Sequence, residues 1–129
     1  MLITETLLDN LSAQAKESPR LRVADDLRTT PNDNSQRMLC AMEPGTEVAI
    51  HRHLKTSESL AVIRGSIRQN FYNDKGELTE SIILKPGAPI SFVQVPQGAW
   101  HKAECLESGT IFFEAKDGAY APLSEDEVM

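Results

Sequence analysis

The chain has 129 residues, 40% of them apolar and 25% charged, which suits one soluble domain with a real hydrophobic core. Its net charge of −6 comes without a run or stripe of Lys and Arg, which argues against nucleic acid as the main partner. No apolar stretch approaches the roughly 20 residues that cross a bilayer. The opening MLITETLLDN carries acid where a secretory signal needs base, so the reading is a cytoplasmic protein whose Cys40 and Cys105 stay free thiols.

Residues 3–17 place Ile3, Leu7, Leu11 and Ala15 at i, i+4 spacing, predicting an amphipathic helix that packs on the body of the fold or on a partner subunit. Ser18-Pro19 ends it. The period then changes. β-type runs follow over 36–42, 47–53, 59–64, 66–72, 78–84, 90–95, 101–106 and 110–114. Between them stand Pro44-Gly45, Gly65, Asn73–Gly76, Pro86-Gly87, Pro96-Gln97-Gly98 and Ser108-Gly109. Residues 73–76 predict a four-residue hairpin loop. Short strands at this interval predict a barrel or jelly roll. The expected organisation is a helix over 1–18, one β domain over 19–122, and a loosely ordered acidic tail over 123–129.

All three histidines stand in ligand-like spacing with a glutamate, as His51-x-His53-x4-Glu58 and then His101. Imidazole and carboxylate suit zinc, iron(II), manganese, nickel and cobalt. On a strand, residues two apart share a face at about 6.6 Å, so His51 and His53 can converge on one ion. A turn at 54–57 lets Glu58 point back inward, with Leu60 and Val62 continuing that face as apolar packing. His101 opens a later strand, which a barrel can bring beside the others. The bland alternative is surface histidines, or histidines hydrogen-bonded to Glu58.

Gly45-x5-His51-x-His53-x4-Glu58-x6-Gly65 resembles the first cupin motif at every position, and Pro96-x-Gly98-x2-His101 resembles the core of the second. Eight residues separate Gly87 from Pro96, more than is common, and Cys105 stands where asparagine is frequent. Neither departure touches a ligand. The opening helix, Ser18-Pro19-Arg20, Gln36-Arg37-Met38 and Glu114–Tyr120 extend the likeness to the WbuC family of cupin fold metalloproteins, over roughly residues 5–122. This resemblance implies an all-β cupin jelly-roll barrel with an N-terminal helix, assembled as a homodimer. It also implies one divalent metal on His51, His53, Glu58 and His101, and a sugar-like substrate.

Outside the ligands, Glu114 and Tyr120 are the candidates for acid/base work, against a packing role for both. Arg64, Arg68 and Lys102 either steer an anion to the cavity or are solvated charges. Cys105 shares the parity of His101, and so either approaches the metal or is a small core residue; Cys40, between Met38 and Met42, reads as core. Trp100 closes the core or lines a dimer interface. The functional reading is a metal-dependent enzyme on a small polar metabolite, by Lewis-acid isomerisation, epimerisation or hydrolysis, or by iron(II) and dioxygen. The alternative is a binding or sensing module with the same pocket. A residue titrating near neutrality beside the ligands would favour the enzyme. A metal-free epimerase is disfavoured, since each histidine already holds a ligand position.

Overall fold

The computed structural model describes residues 1–129. The helix α1 spans Glu5–Glu17. Thr4 caps it, its hydroxyl accepting from Leu7 N at 3.2 Å, and Glu5 and Lys16 sit at the ends that the helix dipole favours. The buried stripe is Leu8, Leu11, Ser12 and Ala15, which keeps Leu11 and Ala15 of the predicted row, with Leu7 partly buried at its edge. Ile3 precedes the helix and is 44% exposed. The i, i+3, i+4, i+7 set fits a broad sheet better than a strict i+4 row, which drifts around the helix.

Eight strands follow: β1 (Arg22–Asp26), β2 (Ser35–Met42), β3 (Glu58–Arg64), β4 (Ile67–Tyr72), β5 (Leu78–Leu84), β6 (Phe92–Val95), β7 (Trp100–Cys105) and β8 (Thr110–Asp117). They form two antiparallel sheets, ordered β1-β2-β8-β3-β6 and β5-β4-β7. Two sequence expectations are corrected. The segment expected as a strand over 47–53 forms no regular strand, its β-bridges being confined to His51, and β1 falls where no strand was expected. The hairpin loop at 73–76 forms as expected, Asn73 Oδ1 accepting from Lys75 N and Glu77 N.

Alternation along the strands builds two apolar regions. Leu39 and Ala41 of β2 and Ile111 of β8 face outward and pack with Leu8, Leu11 and Ala15 of α1. Met42, Leu60, Val62, Ile67, Leu84, Cys105 and Phe112 pack between the sheets. Gly65, the last glycine of the first motif, turns β3 into β4 at φ +73°, and a Cβ there would stand 2.2 Å from Thr110 Oγ1. Only glycine fits so close an approach.

The inward face changes character along its length. Register places Gln36, Lys116 and Glu58 in one cross-sheet row and Met38, Glu114 and Leu60 in the next. Polar rows thus occupy one end of the interior and apolar rows the other.

Candidate metal centre

Backbone pairing brings the histidines together. His51 and His101 exchange both backbone hydrogen bonds, at 3.0 and 2.8 Å, as a narrow antiparallel bridge. Gly98 N donates to His53 O at 2.8 Å, so the Pro96–Gly98 turn is tied to the other ligand-bearing segment. On its far side that segment is held by residues 124–129: Arg52 N donates to Glu127 O, Met129 N to Ile50 O, and Leu54 N to Glu127 Oε2. The tail expected to be loose is therefore docked, with a short 3-10 turn at Glu125–Glu127.

The ligand atoms of His51, His53, Glu58 and His101 all lie within 4.8 Å of one another, a group that could hold a metal ion. Two features make the fit specific. Nδ1 of His51 lies 2.9 Å from Ala49 O, and Nδ1 of His101 lies 2.8 Å from Ala99 O. A carbonyl can only accept, so both rings carry their proton on Nδ1 and turn a bare Nε2 inward. The Nε2 atoms of His53 and His101 are buried without a hydrogen-bond partner, although Glu58 Oε2 stands 3.2 and 3.4 Å away. These distances satisfy an ion pair, but the angles make no hydrogen bond. Lone pairs facing a carboxylate in a buried site repel unless a cation lies between them. The donor set fits a divalent metal.

The surrounding charges are tuned. Burial pushes His51 down to about 4, and the adjacent charges of His101 and His53 work in the same direction, against the pull of Ala49 O and Glu58. This ring is neutral and ready to ligate at physiological pH. Burial pushes the Glu58 carboxyl up, but donation and charge from His101 and His53 when those rings are protonated, with the charge of Lys116, outweigh it and lower it; a cation between them would take the place of those protons. One row away, Glu114 is raised to about 7 by burial and then by the charge of Glu58, against its ion pair with Lys116 at 3.1 Å. A protic group raised toward neutrality therefore stands one row from Glu58.

An inner cavity of about 530 Å³ is lined by His51, Glu58 and His101 together with Glu114, Lys116 and Tyr120. A second, outer cavity lies against residues 117–124. Tyr120 lines both, is 62% exposed, and lies under the Arg28 guanidinium at 5.8 Å, so it belongs to the cavity mouth.

Other candidates fall elsewhere. Arg64 pairs with Asp9 at 2.7 Å and Arg68 with Glu104 at 3.3 Å, and neither they nor Lys102 line either cavity. Cys105 points inward but at the apolar end, its Sγ 3.2 Å from Met42 O and 3.1 Å from Glu107 O. Cys40 lines the cavity wall, and burial pushes its thiol well up. Trp100 donates Nε1–H to Asp74 and stacks under Arg52 at 4.3 Å. Arg20, part of the Ser18-Pro19-Arg20 likeness but given no site role there, and Arg22 line both cavities.

The sequence matches a family described as "Domain of unknown function (DUF6016)" over residues 3–84. The chain belongs to this family. No curated protein matches it. Among solved structures, KdgF from Halomonas sp. superposes at a TM-score of 0.63 with 16% identity, over 80% of this chain and 84% of that one. Oxalate oxidase in complex with glycolate gives 0.63 and 13% identity, covering 83% of this chain and 56% of the other. A mutant of Bacillus subtilis oxalate decarboxylase OxdC gives 0.59 and 24% identity over 78% of this chain and only 26% of its own. At these identities the likeness establishes the architecture, and this DUF6016 member has the cupin jelly-roll fold. The finer WbuC likeness has no counterpart among these matches. No helix is long and apolar enough to cross a membrane.

Proposed function

We propose that the protein is a metal-dependent cupin enzyme acting on a small polar metabolite, with His51, His53, Glu58 and His101 as ligands. The observation that carries this reading is the pair of buried imidazole nitrogens, on His53 and His101, that face Glu58 with no hydrogen-bond partner. A bound divalent ion would polarise a carbonyl or hydroxyl oxygen or, as iron(II), admit dioxygen beside the substrate. Glu114 is the acid/base in this reading. Its carboxyl is held near neutrality, it lines the same cavity as the ligands, and Lys116 beside it stays charged to receive the carboxylate form. Tyr120 closes the mouth and offers a hydroxyl to the substrate's outer part. The WbuC likeness supports a sugar-like substrate by analogy. The same reading makes the protein a cytoplasmic homodimer, with the edge strand β6 and its 52% exposed Phe92 as pairing surface.

The deciding experiment is elemental analysis of protein purified without a metal-affinity tag, beside His51→Ala. Near-stoichiometric divalent metal that is lost in the variant is expected. No metal, with no uptake on adding divalent ions, would overturn the reading. Glu114→Gln should then keep the metal while stopping turnover; retained turnover would remove Glu114 from the chemistry and favour a binding module.

A further inference from the structure

Six residues line both the inner cavity and the outer one: Arg20, Arg22, Gln36, His51, Lys116 and Tyr120. They mark the passage between the two. Lys116 is engaged by Glu114 and the Gln36 amide by Gly118 O. Neither arginine forms an ion pair within 4.0 Å, and Arg22 feels Glu114 only at longer range. Every other arginine of the chain is engaged. Arg28 pairs with Asp26, Arg37 with Asp33, Arg64 with Asp9 and Arg68 with Glu104, and Arg52 lies over Trp100.

An unpaired guanidinium pair is unexpected in a chain with 19 acidic and 13 basic residues. Arg22 is half-buried on β1; burial and then the like charge of Arg20 weigh against its cation, and the nearby Cys40 and Glu114 offset them only in part. Four cations and two carboxylates line the inner cavity, so its wall is basic while the molecule is acidic. Guanidinium forks match planar or tetrahedral oxyanions with two parallel hydrogen bonds.

We propose that Arg20 and Arg22 form an anion-binding subsite, so that the cavity takes a small polar molecule bearing a carboxylate or phosphate. That group sits at the arginines, while the other end of the molecule reaches His51, Glu58 and His101. The volume of about 530 Å³ accommodates a six-carbon acid or ester. The proposal deepens the enzyme reading and rests on it only for the end that meets the metal ligands.

The test uses three matched probes, D-glucuronate, D-glucose 6-phosphate and neutral D-glucose, titrated by calorimetry into the purified protein, Arg22→Gln, Arg22→Lys and Arg20→Gln, with metal content and melting temperature measured on each sample. At least one anion should bind at least tenfold more tightly than glucose, and the tighter one names the carboxylate or phosphate source. Arg22→Gln should weaken that anion at least tenfold at unchanged metal content, with partial recovery in Arg22→Lys. Arg20 is exposed, so Arg20→Gln spares the core, and a several-fold loss is expected there too. Anions binding no better than glucose, or unchanged affinity in both glutamine variants, would overturn the proposal. Should the wild type hold no metal yet still lose anion binding in Arg22→Gln, the subsite stands and the enzyme reading falls. Metal retained without anion preference gives the reverse.

Discussion

The two ends of the barrel interior are made by the same strands and do opposite work. Along β7, His101 faces the ligand cluster and Cys105 the apolar core; along β3, Glu58 and Val62 divide in the same way; along β8, Lys116 and Glu114 stand at one end and Phe112 at the other. The apolar end gains stability from close packing. The polar end holds the His53 and His101 Nε2 atoms, buried without a hydrogen-bond partner and facing Glu58, which costs stability. The two sheets together therefore support a costly site at one end of the interior because its other end is filled.

This contrast can be broken first at the packed end. Ile67 is fully buried, and Ile67→Ala should cost about 2–5 kcal/mol in urea unfolding, while the protein that stays folded keeps its full metal content. Metal loss in step with folding defects would mean that the ends are not separable. At the polar end Glu58→Gln should weaken metal binding by about 100-fold or more, since even groups behind the ligands usually contribute about 10–100-fold. Its unfolding midpoint in chelator should move less than that of Ile67→Ala, because glutamine keeps the volume of the side chain and leaves no cavity. A large shift in chelator would make Glu58 a structural residue.

Smaller effects sharpen the comparison. Gly65→Ala forces a Cβ against the Thr110 backbone, 2.8 Å from its Cα, as well as its hydroxyl, at a left-handed φ. A loss of about 1–3 kcal/mol is expected, and Thr110→Ala should restore only part of it because the backbone contact remains. Full rescue would place the clash in the hydroxyl alone. The smallest effect lies outside both ends. Asp33 accepts from Thr29 N, Ser35 N and Arg37, and the Thr29 and then the Ser35 backbone bonds lower its carboxyl to about 2. A depressed carboxyl stabilises the fold above its unfolded value of about 3.9, and that contribution disappears as the pH falls through about 2. Asp33→Asn should therefore lower the urea midpoint slightly at pH 7, converge with the wild type between about pH 3.9 and 2, and leave metal content unchanged. A gap that widens on acidification would contradict the assigned hydrogen bonds.

Much of this arrangement was legible in the residues, for identifiable reasons. Strands β2 to β8 announce themselves by alternation and by the turns between them, and the ligand spacing survives because a strand puts residues two apart on one face. The helix and the Leu11–Ala15 part of its stripe were found, but Leu8 was missed, since Leu7 and Leu8 are equally apolar and only the sheet beneath chooses between them. Strand β1, Arg22–Asp26, was invisible because its charged ends read as loop, and it exists by pairing with β2. The arginines' place at the cavity went unseen for the same cause. No cluster shows at positions 20, 22 and 28, and only the fold brings Arg20 and Arg22 to the cavity that also holds Lys116. The opposite error arose at Arg64 and Arg68, whose positions looked suitable but whose charges are taken by Asp9 and Glu104.

The docked tail carries a last consequence. Residues 124–129 reach the segment 50–54 largely through main-chain donors and acceptors, and those contacts alternate with the inward-pointing His51 and His53. Amino-acid identity matters little to such a seam, so substitution scanning would rate these positions as tolerant. Proteolytic trimming there would register at the imidazoles, several residues from any atom that was cut.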